Sequence, residues 1–166
     1  MEARVGGESE MTKKVAIIGS EEKYFTSSQR TDAVKKMRDI LVEESCPKDM
    51  LGDRIPFEPD AVILISGGCP KGGIDIWAEI IAYVLGIKKV IFYPEVNQWE
   101  DQYVCVNNNK SVQMKLIGYE SRNIQIAEAC DVLYCIDPKG RKRSGGRFTM
   151  EAARKLGKEV HLVEIE

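Results

Sequence analysis

Five short apolar runs alternate with segments of helical pattern along this chain, and the second run, "DAVILISGG", is apolar almost throughout. A strand without alternating polar residues is typical of a parallel sheet that is covered on both faces. Strands that are joined by helical crossovers run parallel and wind right-handedly. The pattern therefore predicts an α/β fold, a Rossmann-like three-layer sandwich with a mostly parallel five-stranded sheet in the order 3-2-1-4-5.

The predicted strands are "KVAIIGS", "DAVILISGG", "KKVIFYP", "DVLYCID" and "KEVHLVEIE". The predicted helices between them are "QRTDAVKKMRDILVEES", "IDIWAEIIAYVLG", "SRNIQIAEAC" and "FTMEAARKLG". The interval from 95 to 118 breaks this rhythm, because it is polar and long for a connection in a compact domain. Loops of this length are usually functional lids or disordered segments, and we predict that Trp99 lies in a lid over the ligand-binding edge.

The length of 166 residues fits one ordinary α/β domain. Residues 1–12 are polar and lack periodicity, which predicts a disordered leader before a single domain over 13–166.

The formal net charge of −2 does not favour nucleic acid as a partner of the whole protein. No apolar run reaches the roughly 20 residues of a membrane span, so we expect a soluble, cytoplasmic protein without a membrane partner.

The five cysteines are odd in number and show no CxxC spacing, and the single histidine, His161, lies on the last predicted strand. This pattern predicts neither a zinc site nor a disulfide framework. No carboxylate cluster of the metal-binding type is visible, so we expect no magnesium requirement and no cofactor. Cys69, inside a glycine-rich bend, is interpreted as a small filling residue rather than a reactive thiol.

Two Ser-Gly-Gly turns follow predicted strands, one in "ISGGCPKGGIDIWAE" and one in "DPKGRKRSGG". Because the carboxyl ends of parallel strands meet at one edge of a sheet, both turns belong to the edge where ligands bind. Glycine permits close backbone approach, and free amides at a following helix attract anions. Neither turn is GxGxxG or a Walker motif. An ordinary tight βα turn is the alternative for each, but two such turns at one edge favour a phosphate or ribose cradle.

Arg122, in "GYESRNIQIAEA", lies in the first turn of a predicted helix, where the helix dipole disfavours a cation. An anionic ligand held by Arg122 and the helix amides would offset this placement; the alternative is an exposed arginine paired with Glu120 or Glu128. Asp75 and Glu79 share one helical face and could take ribose hydroxyls. Alternatively, Asp75 simply favours the N-terminus of its helix.

The run "KGRKRSGGR" concentrates five basic residues, Lys139, Arg141, Lys142, Arg143 and Arg147, at the same predicted edge. A solvated flexible loop is the ordinary interpretation of such a run. Its position beside the second glycine turn supports a phosphate-facing role as the other interpretation.

These motifs together resemble the SLOG superfamily of Rossmann-like nucleotide-ligand-binding proteins, which includes YspA-like domains, the cytokinin-activating LOG proteins and the DprA family. The resemblance runs from about Lys14 to Glu164 and rests on "SGG" with Asp75 and Glu79, on "RN" at a helix start, and on "SGGRFTMEA". It implies binding or sensing of a nucleotide or nucleotide-derived ligand, and, with several apolar helix faces, a homodimer.

The candidate ligand-binding residues all lie in the two Ser-Gly-Gly turns, at the end of the first strand or near helix starts: Gly19, Ser20, Ser66, Gly67, Gly68, Gly72, Asp75, Arg122, Asn123, Ser144, Gly145, Gly146 and Thr149. In this interpretation the amides of the glycine turns and the Arg122 guanidinium bind a phosphate group.

The resemblance also implies two alternatives. The first is a LOG-like hydrolase that cleaves the N-glycosidic bond of nucleoside 5′-monophosphates, with Arg122, Glu79 and Glu151 as candidate catalytic residues. The LOG turn reads PGGxGTxxE, whereas this chain has Ser144 and Phe148 at the proline and third-glycine positions and carries Glu151 one residue before the LOG glutamate. The second alternative is DprA-like binding of nucleic acid through the "KGRKR" loop.

Overall fold

Across residues 12–94, 102–107, 112–117 and 119–166, which the computed structural model describes, the chain forms seven strands and four α-helices. The strands are β1 Lys13–Gly19, β2 Val62–Ser66, β3 Lys88–Ile91, β4 Gln102–Asn107, β5 Val112–Ile117, β6 Val132–Pro138 and β7 Glu159–Ile165. The helices are α1 Ser27–Glu44, α2 Ile74–Leu85, α3 Tyr119–Ala129 and α4 Gly145–Lys155.

The main sheet has five strands in the order β3-β2-β1-β6-β7, and every neighbouring pair runs parallel. Numbered along the chain, these strands follow the order 3-2-1-4-5, which confirms the predicted topology. All five residues of β2 are buried, as its uninterrupted apolar run indicated.

The side chains of β1 show how the layers are arranged. Val15 and Ile17 belong to the apolar cluster that also contains residues of α1 and α2, whereas Ala16 and Ile18 belong to the cluster with residues of α3 and α4. Successive side chains of a strand point to opposite faces of the sheet. Helices therefore cover both faces, and the predicted three-layer sandwich is confirmed.

Two local signals determine where helices begin. Thr26 accepts a hydrogen bond from the Gln29 amide, and the Gln29 side chain accepts one from the Thr26 amide, so a capping box starts α1. Ser144 accepts a hydrogen bond from the Arg147 amide and caps α4. Because of this cap, α4 begins at Gly145, three residues before the predicted start at Phe148, and both glycines of the second turn lie in its first turn.

The interval from 95 to 118, predicted as a loop, contains β4 and β5, which pair antiparallel in a separate two-stranded sheet. Antiparallel strands need only a short connection, so a hairpin fits within an interval that has no helical crossover. Trp99 lies outside the described residues, and so do residues 1–11 of the predicted leader. The division into a leader and a single domain over 13–166 stays a prediction.

None of the helices in the described part of the chain has the length and apolar character that a bilayer span requires.

Candidate functional site

A cavity of about 70 Å³ lies at the carboxyl ends of β1 and β6. The chain order reverses between these two neighbouring strands, and this is the switch point at which α/β sheets bind ligands. Residues from four separate segments line the cavity. The sequence-predicted residues among them are Gly19, Ser20, Asp75, Arg122, Asn123, Ser144, Gly145, Gly146 and Thr149.

The first turn of α4 reaches the end of β1 because glycine occupies both contact positions. A Cβ atom on Gly146 would lie 2.9 Å from the Gly19 Cα and 3.1 Å from the Cys135 Sγ. A Cβ atom on Gly19 would lie 1.9 Å from the carbonyl oxygen of Ile136 on the neighbouring strand. The two glycines therefore bring the amide end of α4 to the cavity, where it favours an anion.

Asp137, which the sequence analysis did not select, organises this edge. Its carboxylate is fully buried and accepts hydrogen bonds from the Ser20 hydroxyl at 2.7 Å and the Ser144 hydroxyl at 2.9 Å. The Arg147 Nε donates to the same carboxylate at 2.9 Å. Asp137 thus connects the end of β6 to the loop after β1 and to the cap of α4. A carboxylate at the end of a predicted buried strand is the signal that could have identified it.

Arg122 is 3% exposed, so the alternative of an exposed arginine is wrong. Its Nη1 donates a hydrogen bond to the carbonyl oxygen of Gly67, and its charge lies beside the carboxylate of Asp75. A Cβ atom on Gly67 would overlap the guanidinium, because it would lie 2.0 Å from Nη1. Arg122 therefore supports the first Ser-Gly-Gly turn from α3 while bordering the cavity.

Asp75 lies in the first turn of α2 and lines the cavity. Burial raises the pKa of its carboxyl group from 3.8 to about 6, although the Arg122 charge and a hydrogen bond from the Cys69 amide act in the opposite direction. Asp75 is consequently a carboxyl group that titrates close to neutral pH inside the cavity.

Glu79, Ser66, Gly67, Gly68 and Gly72 are not among the residues that line the cavity. Glu79 is nearly buried in α2 and lies against the first glycine turn: a Cβ atom on Gly68 would lie 3.5 Å from its Oε1. Burial raises the pKa of Glu79, and a hydrogen bond with the Ser66 hydroxyl opposes this effect. The Ser66 hydroxyl in turn accepts a hydrogen bond from the Gly68 amide at 3.3 Å. Glu79 and Ser66 therefore support the first Ser-Gly-Gly turn.

Glu151 also lies away from the cavity lining, on the exposed face of α4, where it pairs with Arg154. Thr149 is buried at the cavity, and its hydroxyl donates to the Gly145 carbonyl oxygen at 2.8 Å.

Most cations of the basic run have partners within the protein. Arg147 pairs with Asp137, and Lys139 pairs with Glu166 at 2.8 Å. Lys142 and Arg143 are exposed. Of the five basic residues in this run, Arg141 lines the cavity. Its guanidinium carbon lies 3.4 Å from the centroid of the Tyr24 ring.

The stacking of Arg141 on Tyr24 joins the two sides of the cavity mouth, since Tyr24 belongs to the segment after β1. A hydrogen bond with Arg141 lowers the pKa of the exposed Tyr24 hydroxyl, and the charges of Arg141 and Lys23 act in the same direction. Glu21 also lines the cavity, and its carboxylate is 3.7 Å from Lys23 and 3.9 Å from Lys71.

The described residues contain no group of three or more His, Cys, Asp or Glu side chains that could hold a metal ion.

The fold and the cleft define a Rossmann-like α/β protein with a cavity at the switch point of its sheet. Among solved structures, the chain is similar to the molybdenum cofactor carrier protein of Chlamydomonas reinhardtii, with 15% identity and a TM-score of 0.52 over 91% of this chain and 76% of that one. No family model and no curated protein matches the sequence. At this identity the similarity shows a Rossmann-like fold and does not assign the chain to the SLOG superfamily.

Proposed function

We propose that this protein binds a nucleotide or nucleotide-derived small molecule and holds its phosphate group in the cavity at the start of α4. The observation that carries the proposal is the convergence of two anion-binding elements on one cavity: the first-turn glycines Gly145 and Gly146 and the guanidinium of Arg141.

The size of the cavity supports the same conclusion. A water molecule needs about 10 to 15 Å³ of such space, so 70 Å³ accommodates a group of a few heavy atoms and not a whole nucleotide. A phosphate group fits this requirement, with the remainder of the ligand outside. The structural neighbour is by its name a carrier of a small-molecule cofactor, which supports small-molecule binding on this fold.

We expect Arg141→Ala to weaken ligand binding roughly ten- to a hundredfold, because it removes a charge-assisted contact of about 1.5 to 3 kcal/mol. The probes are inorganic phosphate, ribose 5-phosphate and the adenosine, guanosine, cytidine and uridine 5′-monophosphates, measured by isothermal titration calorimetry. The matched control is Lys142→Ala, the next residue of the same loop, which is exposed and does not line the cavity. The absence of binding by all probes to the unmodified protein would refute the proposal.

A hydrolase is the second candidate function, and Asp75 is the observation that favours it. Its raised pKa of about 6 suits general acid–base catalysis near neutral pH, and it lines the cavity that Arg122 borders. In this second function the glycosidic bond, rather than the phosphate group, would lie beside Asp75. Glu79 and Glu151, the carboxylates that the sequence analysis selected, are not in the lining. The calorimetry samples can be assayed for ribose 5-phosphate released from the monophosphates; binding without release supports the binding function alone.

We propose further that the protein is a homodimer that associates through α2. Ile80, Tyr83 and Val84 form an exposed apolar stripe on this helix, and Tyr83 is 79% exposed. A negative charge in this stripe opposes its burial, so we expect Tyr83→Glu to convert a dimer into a monomer, measured as mass by light scattering. Leu51→Glu, at an exposed apolar residue of another segment, should stay dimeric. A monomeric mass of the unmodified protein at micromolar concentration would contradict this proposal.

A further inference from the structure

The anion cavity continues into a second, larger depression. This outer depression has a volume of about 400 Å³, and it shares Glu21, Asn123, Ser144 and Gly145 with the lining of the cavity. Because they share these residues, the cavity and the outer depression form one cleft. The cavity is the small inner compartment of this cleft, and the outer depression is its wide outer compartment. The outer volume lies within the range of small-molecule sites, which is roughly 300 to 1,000 Å³.

Phe148 lines the outer depression. The packing of α4 against the rest of the protein does not explain why an apolar residue stands at this exposed position. The side chains of Met150 and Ala153 bury the apolar face of this helix, whereas Phe148 is 39% exposed. Single exposed aromatic residues are common on protein surfaces and carry no argument by themselves. Phe148, however, lies three residues after Gly145, on the same side of α4, and Gly145 lines both the outer depression and the inner cavity.

We infer that the outer depression binds a planar nitrogen heterocycle of the ligand, stacked on the ring of Phe148. Aromatic side chains stack on bases of every kind because each base has a π-face. The inference rests on the proposed function, since it places the heterocycle on the same molecule as the phosphate group.

The polar groups around Phe148 suit the edge of such a ring. Glu21 and Glu120 line the outer depression, and carboxylate oxygens accept hydrogen bonds from ring or exocyclic N–H groups. Arg143 supplies N–H donors for ring nitrogens and carbonyl oxygens. Asn123, which carries both a donor and an acceptor, is nearly buried where the two compartments meet.

The experiment compares ribose 5-phosphate, which has no heterocycle, with the four nucleoside 5′-monophosphates, by isothermal titration calorimetry. In the unmodified protein, at least one monophosphate should bind about five- to a hundredfold more tightly than ribose 5-phosphate. Phe148→Ala should remove this difference and leave the affinity for ribose 5-phosphate unchanged, while Phe148→Trp should preserve it. Leu156→Ala, at an exposed apolar residue near the other end of α4, is the control and should change neither affinity.

Two results would overturn the inference while leaving the proposed function intact. One is equal affinity of the unmodified protein for ribose 5-phosphate and for all four monophosphates. The other is an equal loss of affinity for both kinds of probe in Phe148→Ala, with an unchanged melting temperature. Binding of none of the probes would refute both the inference and the proposed function.

Discussion

Replacement of Asp137 by alanine should lower the free energy of unfolding by about 3 to 5 kcal/mol, because it removes one partner of a buried charge pair. The fully buried carboxylate accepts hydrogen bonds from Ser20, Ser144 and Arg147, and alanine leaves all three donors without it. The Arg147 side chain is mostly buried, so its positive charge would lose its carboxylate partner at a position where water solvates it poorly. The measurement is urea unfolding followed by circular dichroism.

Asp131→Ala is the matched control for this prediction. Asp131 directly precedes β6, whereas Asp137 lies near its other end. Asp131 is exposed, and its carboxylate accepts a hydrogen bond from the Lys14 amide at 2.8 Å. Its loss should lower the free energy of unfolding by about 0.5 to 1.5 kcal/mol. Equal effects of the two substitutions would show that Asp137 does not organise the edge of the sheet that holds the candidate site.

Arg122→Ala should also lower the free energy of unfolding by about 3 to 5 kcal/mol at pH 8, since it leaves the buried carboxylate of Asp75 without the nearby positive charge. The sequence predicts Arg122 only as a residue that holds an anionic ligand. The structure changes that expectation, because the guanidinium also hydrogen-bonds to the Gly67 carbonyl oxygen and so supports the first glycine turn.

The effect of Arg122→Ala should depend on pH. Burial raises the folded-state pKa of Asp75 above its unfolded value of 3.8, so the stability associated with this group is complete below pH 3.8 and is lost as the pH rises through about 6. Arg122 lowers that folded-state pKa, and its removal therefore raises the pKa further. The loss of stability in the variant should continue to higher pH. The difference in free energy of unfolding between the variant and the unmodified protein should therefore be larger at pH 8 than at pH 5.

The double variant Asp75→Asn with Arg122→Ala provides the control, because it contains neither charge. Its free energy of unfolding should lack the steep decline between pH 5 and pH 8 that Arg122→Ala alone shows. A gap between Arg122→Ala and the unmodified protein that is constant from pH 5 to pH 8 would show that Asp75 and Arg122 do not interact in solution.

The order of the sheet could be predicted from the sequence because it follows from local patterns. An uninterrupted apolar run such as β2 is stable only between two covered faces, and helical crossovers force neighbouring strands to run parallel. The interval from 95 to 118 is the exception. A hairpin has weaker local signals than a helical crossover, and its polar residues resemble those of a loop.

The sequence by itself determined which edge of the sheet holds the candidate site, because glycine turns and polar residues follow the apolar strands at their carboxyl ends. Only the tertiary structure decided what each residue does there. Ser20 and Asp137 are 117 positions apart, and Arg122 and Gly67 are 55 apart, so no local pattern reveals that these pairs meet. Burial and partners determine whether an arginine supports a turn, as Arg122 does, or faces the cavity from a loop, as Arg141 does. Both are properties of the folded chain, because they depend on which segments pack together in space.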